Sequence, residues 1–431
     1  MSRDIPLNTV PCLRRKAAAF QQLVMSQNQN DNGAPPSPAP SSPRSFPQYA
    51  VDTEIVTTEG NDQYRSSSVP IYQTATFKQE SLSNMGEYDY TRSGNPTRSH
   101  LERHLAKIMH AGRALAVSSG MTALDVIARL LQPGEEVIAG DDLYGGSNRL
   151  LKYLRVNQGI IVHHIDTTDV DAVKKTVNSK TRMVLLESPT NPLIKICDIE
   201  AVATATHEAV PECLVVVDNT MMSPMNMRPL DLGADITYES GTKFLCGHHD
   251  LMAGVLAVKD LVLGERLFQV INASGCGLSP FDSWLLLRGI KTLAVRFEKQ
   301  QNNAERIAAF LKSHNFEVYY PGLESHPGYN VHTKQSLGPG AVLSFRTHDL
   351  PLSERIVEST KLWGISVSFG CVNSLISLPC KMSHASIDPK ERAERDFPED
   401  LIRLCVGIEN PQDLIDDLLA AMVKAGVEMK K

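Results

Sequence analysis

The chain has 431 residues, of which 42% are hydrophobic, and its 43 basic and 49 acidic side chains give a net charge of −6. This acidic balance argues against a polynucleotide as the main partner, since nucleic-acid-binding proteins concentrate Lys and Arg. No apolar run approaches the roughly 18 residues that a membrane-spanning helix needs. The length exceeds the roughly 250–300 residues at which one hydrophobic core usually stops growing, so we expect two domains in a soluble protein.

Residues 1–48 differ in composition from the rest of the chain. They contain a basic cluster at 14–16, a Pro/Ser-rich tract at 35–47 and only two acids. Such a segment cannot bury enough apolar surface to offset its ordering entropy, so we predict a disordered tail. The scarcity of acids fits a cleaved organelle-targeting segment, for example one directed to plastids, and equally a dispensable tail on a cytoplasmic protein.

Short apolar runs alternate with helix-like segments between residues 96 and 260. Seven runs are predicted strands: Ala114–Val117, Glu136–Ile138, Ile160–Val162, Met183–Leu186, Leu214–Val217, Ile236–Tyr238 and Gly254–Val258. Several are apolar throughout, as expected for a sheet that is covered on both faces. Because helical patterns separate most of them, we predict a parallel α/β sheet.

The C-terminal part of the chain has a different pattern. A helix start at Ser279-Pro280 leads into helical spacing that continues to about Ser313, and a final helix is capped by Asn410-Pro411. Three short strands are predicted between these helices, at Val342–Phe345, Ile365–Ser368 and Leu401–Val406. The pattern indicates a second, smaller α+β domain.

Groups with distinct chemistry follow the predicted strands, where ligands bind in open α/β sheets. The turn 118–123 opens a helix, and its N–H groups suit a phosphate. Tyr144 and Asn191 follow two further strands and offer an aromatic ring and an amide. Asp218 follows the fifth strand, where a carboxylate needs a cationic partner. Lys243 follows the sixth strand between apolar elements, where a deprotonated amine is a nucleophile.

A pyridoxal 5'-phosphate (PLP) site needs this set of groups. The lysine forms a Schiff base with the cofactor, the acid keeps the pyridine nitrogen protonated, the aromatic ring stacks, and the helix N-terminus holds the phosphate. Neither a Walker loop nor a GxGxxG segment follows a predicted strand, so a nucleotide would lack its usual cradle.

Five segments carry a resemblance to a known family: YDYTRSGNPT at 88–97, SSGMTA at 118–123, ESPTNP at 187–192, VVDNT at 216–220 and SGTKFLCGHHD at 240–250. They resemble the Cys/Met-metabolism PLP-dependent enzymes. SVSFGCVNSLISLPCKMSHASI at 366–387 and LIRLCVGIEN at 401–410 resemble the plant-type cystathionine β-lyases of that family. The resemblance implies a fold type I, α/β large domain with a mainly parallel sheet, and a smaller C-terminal α+β domain.

The resemblance also implies a role for each matching residue. Lys243 would hold the cofactor and then move protons, Asp218 would pair with the pyridine nitrogen, and Tyr144 would stack on the ring. The phosphate would be bound by Gly120, Met121, Ser240 and Thr242, and by Tyr90 and Arg92 from the neighbouring subunit. The substrate carboxylate would be bound by Arg403, Asn191 and Ser368, with Arg403 making a planar two-point contact that a lysine cannot replace. The implied catalytic residues are Lys243, Tyr90 and Tyr144, and no metal is implied.

Family members suggest a division of the chain and an assembly. Residues 49–95 would form an arm that reaches the neighbouring subunit, 96–295 the PLP-binding large domain and 296–431 the small domain. The assembly would be a homotetramer built from two dimers that share active sites.

The implied reaction is α,β-elimination from L-cystathionine, a small sulfur amino acid, giving homocysteine, pyruvate and ammonia in methionine biosynthesis. The alternatives are the γ-elimination and γ-replacement reactions of the same family, and a non-catalytic relative. Asn373 stands where many γ-acting relatives carry a glutamate, and Gly146 stands where methionine γ-lyases carry a cysteine. Both differences favour the β-elimination, although the outcome depends on substrate positioning of about an ångström.

Overall fold

The computed structural model describes residues 49–58, 62–383 and 397–428. The chain separates into two units, one of which holds residues 74–94 and the other the remaining described residues. The 74–94 unit contains an isolated β-bridge between Thr76 and Tyr90. The predicted tail at 1–48 lies outside the described residues.

Thirteen α-helices are described: α1 (Val51–Val56), α2 (Pro96–Ile108), α3 (Gly120–Ala128), α4 (Gly145–Gln158), α5 (Val170–Thr176), α6 (Ile199–Ala209), α7 (Ser223–Asn226), α8 (Leu261–Ser274), α9 (Pro280–Ile290), α10 (Leu293–Ser313), α11 (Tyr329–Gln335), α12 (Leu350–Ser359) and α13 (Pro411–Ala425). The strands are β1 (Arg113–Val117), β2 (Glu136–Gly140), β3 (Ile161–Ile165), β4 (Thr181–Glu187), β5 (Leu214–Asp218), β6 (Ile236–Ser240), β7 (Gly254–Val258), β8 (Glu317–Tyr319), β9 (Val342–Arg346), β10 (Gly364–Ile365), β11 (Leu375–Ser377) and β12 (Ile402–Cys405).

The first sheet has seven strands in the order β1–β7–β6–β5–β4–β2–β3. Its pairs are parallel except at β7, which runs antiparallel to both β1 and β6. The predicted α/β fold with a mainly parallel sheet is therefore confirmed. Parallel pairing fails at β7 because residues 241–253 contain no crossover helix, so the chain returns beside β6 in the opposite direction.

Both faces of this sheet are covered, as its apolar strands predict. In β5, Val216 belongs to one buried cluster, with Leu115 and Leu256. Its neighbours Val215 and Val217 belong to a second cluster. Because side chains alternate along a strand, the two clusters lie on opposite faces. Ligands then have access at the ends of the strands rather than at either face.

The second sheet has the order β10–β11–β12–β9–β8, and all of its pairs are antiparallel except β10–β11. The α+β character of the C-terminal part is confirmed. The predicted strand at Ile365–Ser368 shortens to Gly364–Ile365, and two strands of three residues, β8 and β11, escaped prediction.

Polar caps account for several helix starts. Ser279 accepts the N–H of Asp282 at the start of α9, and Asn410 accepts the N–H of Gln412 at the start of α13. The predicted helix from Ser279 to Ser313 is broken after Ile290, where the Arg296 side chain bonds the carbonyl of Gly289 at 2.9 Å. No helix of the described residues is long and apolar enough to cross a membrane.

Candidate active site

The carboxyl ends of the central strands bring several predicted site residues together. Glu187, the last residue of β4, lies opposite Asp218, the last residue of β5. Asp218 in turn lies opposite Tyr238 of β6, two positions before Ser240. Because these strands are parallel and adjacent, their ends form one edge of the sheet, as the sequence predicts.

Lys243 lies in the turn after β6. Its Nζ is 2.7 Å from Oγ of Ser368 and 5.1 Å from the ring centroid of Phe369. Burial, and next the charge of Arg403, lower the pKa of the Lys243 ammonium to about 8. A substantial fraction of this amine is therefore neutral near physiological pH, and a neutral amine can act as a nucleophile or a base.

Arg403, on β12, is 2% exposed. Its Nη1 donates to Oδ1 of Asn191 at 2.8 Å, and its Nη2 donates to the carbonyls of Ser368 at 2.9 Å and Val367 at 3.2 Å. Its Nε is buried with no hydrogen-bond partner among the described residues. Burial lowers the pKa of the guanidinium to about 10. The structure thus brings together the three residues predicted for the substrate carboxylate and leaves one N–H of Arg403 unpaired.

Asp218 is held by neutral donors. One carboxylate oxygen accepts the backbone N–H of Thr220 at 2.9 Å and also its hydroxyl, and the Tyr238 side chain is a further hydrogen-bond partner. Burial raises the pKa of Asp218. Among the described residues, no Lys, Arg or His forms an ion pair with this carboxylate, so a cationic ligand atom would remove the cost of burying it.

The turn before α3 forms a close-fitting cradle. Ser119 caps the helix by accepting the N–H of Thr122 at 3.1 Å. A Cβ on Gly120 would lie 2.9 Å from Cα of Ser240, so only glycine lets the two backbones approach this closely. The first N–H groups of α3, at Gly120 and Met121, have no intrahelical acceptors and suit a phosphate.

Thr242, also predicted for the phosphate, is engaged with the main chain. Its hydroxyl accepts the N–H of Ala253 at 3.0 Å. The predicted phosphate contact of Thr242 stays a prediction.

Tyr144 immediately precedes α4, and its side chain is 39% exposed. Its backbone N–H donates to Oε2 of Glu187 at 3.0 Å. A Cβ on Gly146 would overlap the Tyr144 ring and lie 2.9 Å from Sδ of Met121. The glycine therefore lets the ring lie close to the start of the helix, with enough exposure to stack on a ligand.

Tyr90 and Arg92 belong to the 74–94 unit. The guanidinium carbon of Arg92 is 5.2 Å from the centroid of the Tyr90 ring, and that tyrosine is 42% exposed. Their predicted contact with the phosphate of a neighbouring subunit stays a prediction.

Two residues of the site were not assigned from the sequence. Phe369 packs between charged groups, with its ring centroid 5.5 Å from the guanidinium carbon of Arg403. Glu187 bonds to Tyr144, which lies 43 positions away. The sequence could have indicated Glu187, because it is a carboxyl that directly follows an apolar strand, as Asp218 is. Phe369 directly follows the predicted strand Ile365–Ser368, but an apolar ring at that position is explained by burial alone and so did not indicate a site residue.

The described residues fit PLP in three respects. The cradle between Gly120 and Ser240 suits the phosphate. The carboxylate of Asp218, which has no ion pair among the described residues, suits a protonated pyridine nitrogen, and the partly neutral Lys243 suits an aldehyde.

Comparisons with known proteins agree with this chemistry. The model of a family described as Cys/Met metabolism PLP-dependent enzyme matches residues 52–423. A cystathionine beta-lyase of Neurospora crassa is 67% identical over 410 residues, which cover 95% of this chain and 90% of the relative. The chloroplastic cystathionine beta-lyase of Arabidopsis thaliana is 50% identical, covering 86% of this chain and 80% of the relative. The crystal structure of cystathionine gamma-lyase from Lactobacillus plantarum complexed with L-serine has a TM-score of 0.84 at 36% identity, and the match covers 88% of this chain and 99% of that chain.

Proposed function

Since the chain belongs to the family of Cys/Met metabolism PLP-dependent enzymes, we propose that it cleaves L-cystathionine by α,β-elimination to homocysteine, pyruvate and ammonia. This reaction is a step of methionine biosynthesis. The observation that carries the proposal is the cluster in which the partly neutral amine of Lys243 lies beside Ser368 and the buried Arg403. The names of the Neurospora and Arabidopsis relatives support the β position of the cleavage.

The cofactor would be held by groups from several elements. Lys243 would bind its aldehyde carbon, Asp218 its pyridine nitrogen, and Tyr144 the face of its ring. Its phosphate would be held by Gly120, Met121, Ser240 and Thr242, together with Tyr90 and Arg92 from a second copy of the chain. When bound, PLP withdraws electrons from the substrate α-carbon and so acidifies the α-proton.

The residues of the chain would then position the substrate and move its protons. Arg403 and Asn191 bind the α-carboxylate and fix the direction of the α-hydrogen. Lys243, neutral after release from the cofactor, takes the α-proton at Nζ as general base. The bond from the β-carbon to sulfur breaks with its electron pair on sulfur, and Lys243 or Tyr90 gives that sulfur a proton.

The competing outcome within the family is γ-elimination, the reaction named for the solved Lactobacillus structure. The two eliminations differ in which carbon–sulfur bond of cystathionine breaks. Asn373 and Gly146 favour the β position. In this chain a side chain at Gly146 would overlap the Tyr144 ring, so a cysteine there would require that ring to move.

Product identification from L-cystathionine tests the proposal. We expect purified protein to form pyruvate with homocysteine, faster with added PLP, and Lys243→Ala to lose both turnover and the visible absorbance of lysine-bound cofactor. Formation of 2-oxobutyrate would reject the β position. PLP binding without turnover of any sulfur amino acid would reject catalysis.

We also propose a homotetramer in which the 49–95 arm serves the neighbouring subunit. A unit at 74–94 that holds Tyr90 and Arg92 is consistent with such an arm. Mixing Tyr90→Phe and Lys243→Ala proteins should restore part of the activity, because hybrid dimers would contain one intact site. Light scattering should give four copies, and a monomer of full activity would reject the assembly.

For its location we propose the cytoplasm, and a plastid if residues 1–48 are a transit peptide. The Arabidopsis relative is named chloroplastic. A fluorescent fusion with and without residues 1–48 tests this, since a transit peptide predicts that only the longer fusion enters the organelle.

A further inference from the structure

Glu187 forms hydrogen bonds with two loops, each of which contributes a residue to the site. It is the last residue of β4 and only 7% exposed. Its Oε2 accepts the backbone N–H of Tyr144 at 3.0 Å, and its carboxyl also accepts the backbone N–H of Asn191. Tyr144 is the residue proposed to stack on the cofactor, and Asn191 is the hydrogen-bond partner of Arg403. One buried carboxyl therefore fixes the main chain on the cofactor side and on the substrate side.

Glu187 also lies beside the carboxylate proposed for the pyridine nitrogen. It is directly opposite Asp218 across the β4–β5 pair. Burial, then the charge of Asp218, raise the pKa of Glu187 well above its usual range, and Asp142 adds to the effect. Two neighbouring buried carboxyls do not both ionise at low cost. Of the two, Asp218 would gain a cationic partner when PLP binds, so Glu187 is the one that keeps its proton.

A neutral carboxyl can still perform the task that the geometry gives Glu187. Its carbonyl oxygen has two lone pairs and so retains acceptor capacity for backbone N–H groups. Losing the carboxyl would leave the two backbone donors without this partner in a largely dry environment, which is costlier than losing an exposed hydrogen bond.

We propose that Glu187 is a positioning residue that fixes the backbones of Tyr144 and Asn191 in place relative to Asp218, and that it acts in its neutral form. The proposal rests on the function proposed above only through the roles of those three residues. Glu187 acts through them and is not itself a catalytic residue.

The test compares Glu187→Ala and Glu187→Gln with a matched control, Glu239→Gln. Glu239 is also a buried carboxyl, it accepts Nδ2 of Asn219 at 2.9 Å, and burial raises its pKa well above the usual range. The hydrogen-bond partner of its carboxyl, the side chain of Asn219, is not among the groups proposed to contact the cofactor or the substrate. The measurements are the dissociation constant of PLP from the apoprotein, the visible circular dichroism of bound PLP, and KM and kcat for L-cystathionine.

We expect Glu187→Ala to weaken PLP binding about tenfold, the order of one or two net hydrogen bonds. Its visible circular dichroism should fall and its KM should rise. Glu187→Gln keeps a neutral carbonyl oxygen with two lone pairs and should recover PLP affinity to within about threefold of wild type. Glu239→Gln should leave all three measurements within about twofold of wild type.

Two outcomes overturn the proposal. Wild-type PLP affinity and circular dichroism in Glu187→Ala would show that Tyr144 does not depend on this carboxyl. A Glu187→Gln protein as weak as Glu187→Ala would show that the negative charge matters, which refutes the neutral form. If Glu187→Ala fails to fold, the Gln variant and Glu187→Asp decide, because the shortened acid should lose PLP affinity while the amide keeps it. PLP binding does not depend on which bond of the substrate breaks, so 2-oxobutyrate from wild type would reject the proposed function and leave this result intact.

Discussion

The charge of Arg403 contributes to the low pKa of Lys243, and Arg403→Gln isolates that contribution. Burial is the largest cause of the shift and Arg403 the next. We therefore expect the substitution to raise the pKa of Lys243 by about one unit, the order of effect of one nearby like charge. Burial remains in the variant, so the value should stay below the usual 10.5.

The size of the whole effect follows from the structure. A pKa lowered from 10.5 to about 8 corresponds to about 3 kcal/mol in favour of the neutral amine. At about pH 7.5, about a quarter of the amine is then neutral, against about one molecule in a thousand for an ordinary lysine. Raising the pKa by about one unit would reduce the neutral fraction to about 3%.

The assay is the rate at which apoprotein captures PLP, followed by visible absorbance as a function of pH. The rate should rise with pH through an inflection near 8 in wild type and near 9 in Arg403→Gln, by about one unit. Arg403→Lys keeps the charge and should keep the inflection, while both variants should raise KM for cystathionine because the planar two-point contact is lost. Arg346→Gln is the matched control, since Arg346 lies on the neighbouring strand β9 and pairs instead with Asp400 at 2.8 Å.

An unchanged inflection in Arg403→Gln, with the fold intact, would refute the electrostatic argument. An inflection that moves equally in Arg403→Lys would show that packing rather than charge controls the amine. If Arg346→Gln moved it as well, the effect would not be local to the site.

Three further outcomes follow from the same geometry. Asp218→Asn removes the carboxylate proposed for the pyridine nitrogen, so we expect kcat to fall by about a hundredfold or more with a smaller change in PLP affinity; near-normal kcat would contradict the assignment. Gly120→Ala places a Cβ 2.9 Å from Cα of Ser240, so the free energy of unfolding measured in thermal melts should fall by about 1–3 kcal/mol, and PLP affinity should fall as well. Wild-type values for both would mean that the two backbones are less closely packed than described. The pKa of Lys243 is lower in the folded chain than the usual 10.5, so the unfolded chain binds more protons between about pH 8 and 10.5. As the pH rises through that range, the free energy of unfolding of the apoprotein should therefore increase by up to about 3 kcal/mol relative to that of Lys243→Met, as measured in urea titrations. Equal pH dependence of the two proteins would contradict this expectation.

The sequence predicts the first sheet well because several of its strands are apolar throughout and helical patterns separate most of them. β4, for example, extends the predicted Met183–Leu186 by two residues at its start and one at its end. β8 and β11 have three residues each, which is too short for an alternating pattern to emerge, and their places are set by pairing with β9 and β12. The antiparallel direction of β7 depends on what a loop does in three dimensions, which strand propensity does not report.

The site was predictable where chemistry and position coincide. Asp218 and Lys243 follow the ends of predicted strands. A charged group beside a buried strand is costly unless it has a partner or a function, so the residues alone marked both as candidates. Arg403 and Ser368 lie in the second sheet region, with no local signal that would place them beside Lys243, and only the family resemblance identified them. The link from Glu187 to Tyr144 spans 43 positions and involves a backbone N–H, a group that every residue but proline carries.

The role proposed for Arg403 connects substrate binding to the basicity of Lys243. While its charge is uncompensated, Arg403 favours the neutral amine, which suits capture of the cofactor aldehyde. A substrate carboxylate bound to the guanidinium, as proposed, would compensate that charge and offset the second cause of the low pKa. The amine would then become a stronger base when an α-proton is within its reach, so binding of the correct substrate class would itself activate the base. An amine substrate without a carboxylate would lack this effect, and we expect its α-proton to be removed more slowly even at saturation, as a kinetic isotope effect on kcat would reveal.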